Sequence, residues 1–128
     1  MIYFLDTDTC IYFLKGEQSV IDGLYSLSPE QVKIPSIVYA ELIEGALSSA
    51  RNLKVIENFC AAFEVIPFCK QSTTSYARIR QHLRVKGDMI GPNDLIIAAT
   101  TITHHATLIT HNTKEFKRVP DLKLRDFK

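Results

Sequence analysis

Two aspartates lie close together in "FLDTDT", where Asp6 ends an apolar run and Asp8 precedes the helical pattern "TCIYFLK". Two further acids stand in apolar settings, Glu41 in "AELIEGA" and Asp94 in "GPND", just ahead of "LIIAAT". No lysine or arginine is adjacent in sequence to Asp6, Glu41 or Asp94. Carboxylates brought together without such partners repel one another unless a cation neutralises them, and hard oxygen donors select Mg²⁺ or Mn²⁺. A cation held in this way lowers the pKa of a bound water, orients it for attack on phosphorus and stabilises charge on the phosphate oxygens. Each acid also has a plain structural use. Asp6 can cap the following helix, and capping is the stronger reading of Asp8. Asp94 complements the dipole of the helix it opens, and Glu41 shares a polar helix face with Glu44.

Whether these acids meet depends on the elements that carry them. Short apolar runs alternate with helical patterns, which predicts an α/β sandwich: a mostly parallel sheet of about five strands covered by helices on both faces. The strands fall at Tyr3–Leu5, Val32–Ile34, Glu64–Phe68, Thr107–Thr110 and within "LKLRDF", with Pro67 placing the third at a sheet edge. Helices are expected over Asp8–Lys15, stopping at Gly16, and from Ser36 through "IVYAELIEGALSS". Others are expected over 52–63, from a Ser72 cap to Gly87, from Gly91-Pro92 through "LIIAATTI", and over 113–118. Residues 17–31 read as looser chain, with "SLSPEQ" a loop. In such a sheet ligands sit beyond the carboxyl ends of the strands, where strand order reverses, and Asp6 directly follows a strand. At "LITHNTKEF", Asn112 and Glu115 have the spacing of a helix cap and its reciprocal acid. The four histidines, His82, His104, His105 and His111, have no third ligand at a suitable spacing and receive no role.

Composition sets the limits. A chain of 128 residues, 46% hydrophobic, has the length and apolar content of one domain, 1–128. Its net charge of +1 imposes no global field for nucleic acid, although a local basic face could still bind one. Cys10, Cys60 and Cys69 form no C-x-x-C pair, which predicts reduced core thiols in a cytoplasmic protein. No basic leader precedes the first apolar run, and no window reaches the roughly 18 apolar residues of a membrane span.

"FLDTDT" fits D-x-D-x-T and so resembles the nucleophile motif of haloacid-dehalogenase-type phosphotransferases, with Asp6 as nucleophile and Asp8 as general acid. That alternative, a phosphatase, needs an acidic pair directly after a later strand, and "LITHNTKEF" supplies none. A wider resemblance runs over nearly the whole chain. "FLDTDTCIYFLKG", "AELIEGA", "YARIRQHLRVKGDMIGPNDLIIAAT" and "LITHNTKEFKRVPDLKL", in that order, closely resemble the PIN-domain ribonuclease toxins of VapC type. The resemblance implies a PIN-like three-layer α/β/α fold and Mg²⁺- or Mn²⁺-dependent endoribonuclease activity on structured RNA, with tRNA a substrate of some relatives. It also implies pairing with a VapB-like antitoxin, a homodimer and a toxin-antitoxin hetero-oligomer. Carried over by motif, the family's metal-binding acids fall on Asp6, Glu41 and Asp94, and a fourth catalytic position falls on Asn112, an amide that adds no charge. Asp8 stands where the family commonly has Asn.

Basic residues cluster twice. Arg78, Arg80, Arg84 and Lys86 lie along one helix, while Lys114, Lys117 and Arg118 follow the strand that leads to Asn112. The second cluster is expected to neutralise RNA phosphates beside the acids.

Overall fold

A computed structural model describes all residues, 1–128. It contains the strands β1 (Tyr3–Leu5), β2 (Val32–Pro35), β3 (Glu64–Ile66), β4 (Thr107–Ile109) and β5 (Lys123–Arg125). Its helices are α1 (Thr7–Leu14), α2 (Gln18–Tyr25), α3 (Ser36–Ala46), α4 (Ala50–Cys60), α5 (Lys70–Lys86), α6 (Pro92–Thr103) and α7 (Thr113–Phe116). The five strands form one parallel sheet in the order β3-β2-β1-β4-β5, the middle of a three-layer α/β fold. β1 and β4 are buried at every residue, as strands covered on both faces must be, and so read as unbroken apolar runs. β3 lies at an edge and stops just before Pro67, whose missing N–H cannot extend a ladder.

Chain order runs outward from β1 through β2 to β3, then returns to place β4 on the other side of β1. The reversal opens a crevice between the carboxyl ends of β1 and β4, and Asp6 and Thr110 are the residues that leave those ends. α5 ends at Gly87, whose φ of 67° is the left-handed conformation that terminates helices. α6 then starts at Pro92, where the lost N–H needs no partner, and buries Leu95, Ile97, Ala98 and Ala99. Asp94 is thereby fixed in the first turn of a helix that cannot leave the core. No helix is long and apolar enough to cross a membrane.

Several local expectations need correction. Residues 17–31 are not loose, because α2 and a 3₁₀ turn at Pro29–Gln31 occupy them; Val20 and Leu24, four apart, supply the short apolar stripe that seats α2. Ser36 is the first residue of α3 rather than its cap. Ser72 lies inside α5 and is fully buried, hydrogen-bonding distance from Cys69, which occupies the cap position. The stretch expected to be one helix through Ser49 breaks after Ala46, and Ser49 caps α4 by accepting from Asn52 N–H. Cys10 and Cys60 are buried thiols, whereas Cys69 is half-buried.

Candidate active site

The crevice is built from five acids. Asp6 is buried, and it rather than Asp8 is the N-cap of α1: its Oδ1 accepts from the Thr7 backbone N–H at 2.8 Å. Its Oδ2 accepts from the Thr110 hydroxyl at 2.7 Å, so the β1 end is tied to the β4 end through the carboxylate. The same hydroxyl accepts from Asn112 N–H at 3.0 Å. Asp8 sits two residues further on, in the first turn of α1, where its Oδ2 accepts from the His111 backbone N–H at 3.1 Å. The expected division of labour, Asp6 for chemistry and Asp8 for capping, therefore fails in its second half. A residue ending a strand and starting a helix has the extended backbone a cap requires, and Asp6 has it, with φ −78° and ψ 161°.

Glu41 and Glu44 are separated by burial: Glu41 is partly covered and faces the crevice, whereas Glu44 is exposed. Both oxygens of Glu41 are held, Oε1 by the Thr7 hydroxyl at 2.7 Å and Oε2 by Asn93 Nδ2 at 3.3 Å. Asn112 occupies the N-cap position of α7, yet its side chain makes no cap hydrogen bond. Its Nδ2 donates instead to Glu115 Oε2 at 3.3 Å.

Burial and repulsion show in the proton affinities. Asp6 is pushed up to about 7, first by burial and then by the charge of Asp8, with smaller opposing help from Thr110 and Thr7. Asp94 rises to about 6 through burial, then the charges of Glu115 and Glu41. Glu115 thus belongs to the same electrostatic group. Sequence reasoning assigned it only to capping, although its spacing from Asn112 was the available signal. Thr7, Asn93 and Thr110 were not anticipated either; Thr110, a wholly buried polar residue ending the apolar "TLIT", was the most visible of them.

The structure brings Asp6, Glu41 and Asp94 to one crevice, with Asn112 at its margin. As positioned, no three of the side chains form a group that could hold a metal ion. The donor set nevertheless fits a hard divalent cation: a buried Asp6 and a half-buried Asp94, both raised by burial and by neighbouring carboxylates, with neutral amide and hydroxyl groups between them. Lys114 and Lys117 are exposed. Arg118 is engaged, donating to the Met89 carbonyl at 3.1 Å and lying 3.9 Å from Asp88, so it braces the loop that leads into α6.

Beside the crevice, a groove of about 430 Å³ is lined by Ile11, Leu14, Leu42, Val55 and Ile56, and reaches the acids only at Glu41.

A PIN domain model matches residues 3–122. Ribonuclease VapC2 of Rickettsia felis is 40% identical to the chain, covering 99% of it and 98% of the relative. The tRNA(fMet)-specific endonuclease VapC of Salmonella typhimurium is 34% identical, covering 98% and 97%. Among solved structures, VapBC2 from Rickettsia felis bound to a DNA fragment from its promoter superposes with a TM-score of 0.93 at 38% identity, over 100% of both chains. With the acids at the switch point of a parallel sheet and these matches along its whole length, the chain belongs to the PIN-domain family and, within it, to the VapC ribonucleases.

Proposed function

We propose that this ribonuclease, acting as a single domain over 1–128, is an Mg²⁺- or Mn²⁺-dependent endonuclease for structured RNA, with tRNA as the substrate class. The observation that carries the proposal is the crevice itself: acids from α1, α3 and α6 converge where burial and mutual repulsion raise Asp6 and Asp94 well above ordinary carboxylates. Asp6, Glu41 and Asp94 would hold the cation, and Asn112 would orient water or a phosphate oxygen through its amide. When bound, the metal supplies charge neutralisation and a more acidic water for attack on phosphorus. Thr7 and Asn93 keep Glu41 in one rotamer, and Thr110 does the same for Asp6. Lys114 and Lys117 offer exposed cations to the flanking phosphates, and Arg118 contributes by holding the loop before Asp94. The tRNA assignment is supported by the name of the Salmonella relative.

The partner is a VapB-like antitoxin, supported by solved neighbours that are VapBC complexes. The apolar groove beside Glu41, where Ile11 and Val55 remain exposed, is the surface whose chemistry suits a partner's apolar segment. A homodimer within the toxin-antitoxin hetero-oligomer is part of the same proposal, and free cysteines accord with a reducing, cytoplasmic setting. A phosphatase built on Asp6 and Asp8 is disfavoured by the end of β4, where Thr110, His111 and Asn112 supply no acidic pair. Incubation with Mg²⁺ and either folded tRNA or a phosphomonoester tests the proposal. Sequenced RNA ends should cluster at one site and vanish in EDTA; turnover of the phosphomonoester with intact RNA would refute it.

A further inference from the structure

Attack by water on phosphorus leaves the ribose 2′-hydroxyl unused, so the acids alone give no reason to prefer RNA over DNA. Given the RNA reading above, on which this inference rests, another group must read the ribose. His111 stands at the rim of the crevice, two residues beyond β4, with its backbone N–H on Asp8 Oδ2 at 3.1 Å. Its Nδ1 lies 3.0 Å from Asp126 Oδ2, while the other oxygen of Asp126 accepts from Lys128 N–H at 2.9 Å. Tyr12 meets the imidazole edge-on, with ring centres 5.8 Å apart, and the Lys128 ammonium covers the Tyr12 ring at 4.1 Å. The segment carrying Asp126 is seated by Phe127, whose ring fills the space that a Cβ on Gly23 would need.

These contacts fix more than the position of the ring. A carboxylate only accepts, so the Asp126 contact puts the proton on Nδ1, and the neutral imidazole then presents Nε2 as an acceptor. The side chain is 47% exposed, so the ring stands at the surface of the crevice rather than inside the core. Phosphate oxygens cannot donate to Nε2, whereas a 2′-hydroxyl can. We infer that His111, held in one tautomer by Asp126, accepts the 2′-hydroxyl of a nucleotide beside the scissile phosphate and makes the crevice selective for RNA over DNA.

The test is a cycle between protein and substrate at about pH 8, where histidine is ordinarily neutral. The substrate is an RNA hairpin that the protein cuts, together with versions carrying a single 2′-deoxy nucleotide on either side of the cut. For the parent protein, one of these substitutions should lower kcat/KM about fivefold, the worth of one hydrogen bond. His111→Phe, which keeps a ring against Tyr12 but has no acceptor, should cut the all-ribose hairpin about fivefold more slowly and show no further loss with that deoxy nucleotide. Asp126→Ala should shrink the deoxy penalty while His111 remains. An unchanged penalty in His111→Phe overturns the inference, as does a parent indifferent to both substitutions. A parent that cuts no RNA overturns the RNA reading itself, and this inference with it.

Discussion

On one side of Glu41 lies a crevice of carboxylates held by hydroxyl and amide donors; on the other lies a groove of Ile11, Leu14, Leu42, Val55 and Ile56. The groove is ordinary protein surface in energetic terms, since covering its apolar side chains gains about 25 cal/mol per Å². The crevice is the opposite case. Burying Asp6 beside Asp8, and Asp94 beside Glu115 and Glu41, works against the fold and is offset only when protons or a cation enter. Side chains kept at a cost to stability mark chemistry, while exposed apolar ones mark association.

The largest expected effect separates the two surfaces by activity. Asp6→Asn, Glu41→Gln and Asp94→Asn should each lower RNA cleavage at least about a hundredfold while leaving the metal-free melting temperature unchanged or higher, because repulsion is relieved. A lowered melting temperature in all three would mean that the acids serve the fold. Next in size is the pH dependence of stability without metal. Asp6 is raised from 3.8 to about 7, and Asp94 from 3.8 to about 6, so the folded chain keeps protons that the unfolded chain has released. Stability should therefore be greatest near pH 4, fall as pH rises and level off above about 7, by on the order of 4 kcal/mol from Asp6. Asp6→Asn should flatten this slope in urea melts, and groove variants should not.

The groove gives the converse result. Ile11→Glu with Val55→Glu should weaken capture of the antitoxin about tenfold, yet change RNA cleavage by less than about twofold. Equal loss of both would merge the two surfaces into one. The smallest effects distinguish neighbours in the basic cluster. Lys117→Ala should weaken binding to all RNAs alike and reduce the salt slope by about 1. Arg118→Ala, which loses its bond to the Met89 carbonyl, should instead show first as a lower melting temperature.

Much of this was readable beforehand because fully buried strands leave a strong mark. "YFL" and "TLI" are too short and too apolar to be anything but the centre of a parallel sheet, and Asp6 had to emerge at its carboxyl end. The choice between Asp6 and Asp8 as cap was not readable. It depends on where helical dihedrals begin, and both positions had the right residue type. The supporting donors were hidden for a different reason. Thr7 and Glu41 lie 34 positions apart, and Asn93 and Glu41 lie 52 apart, so their pairing is created by the fold and leaves no local periodicity. Glu115 satisfied a local cap pattern, and that sufficient explanation concealed its place beside Asp94.

The central claim is that the acidic crevice holds a divalent cation. Titration of Mn²⁺ into the parent protein and into Asp94→Asn, followed by calorimetry, tests it most directly. Saturable binding by the parent, with affinity reduced at least about tenfold in Asp94→Asn, is the predicted result. Equal binding by the two proteins, or none by the parent, would contradict it.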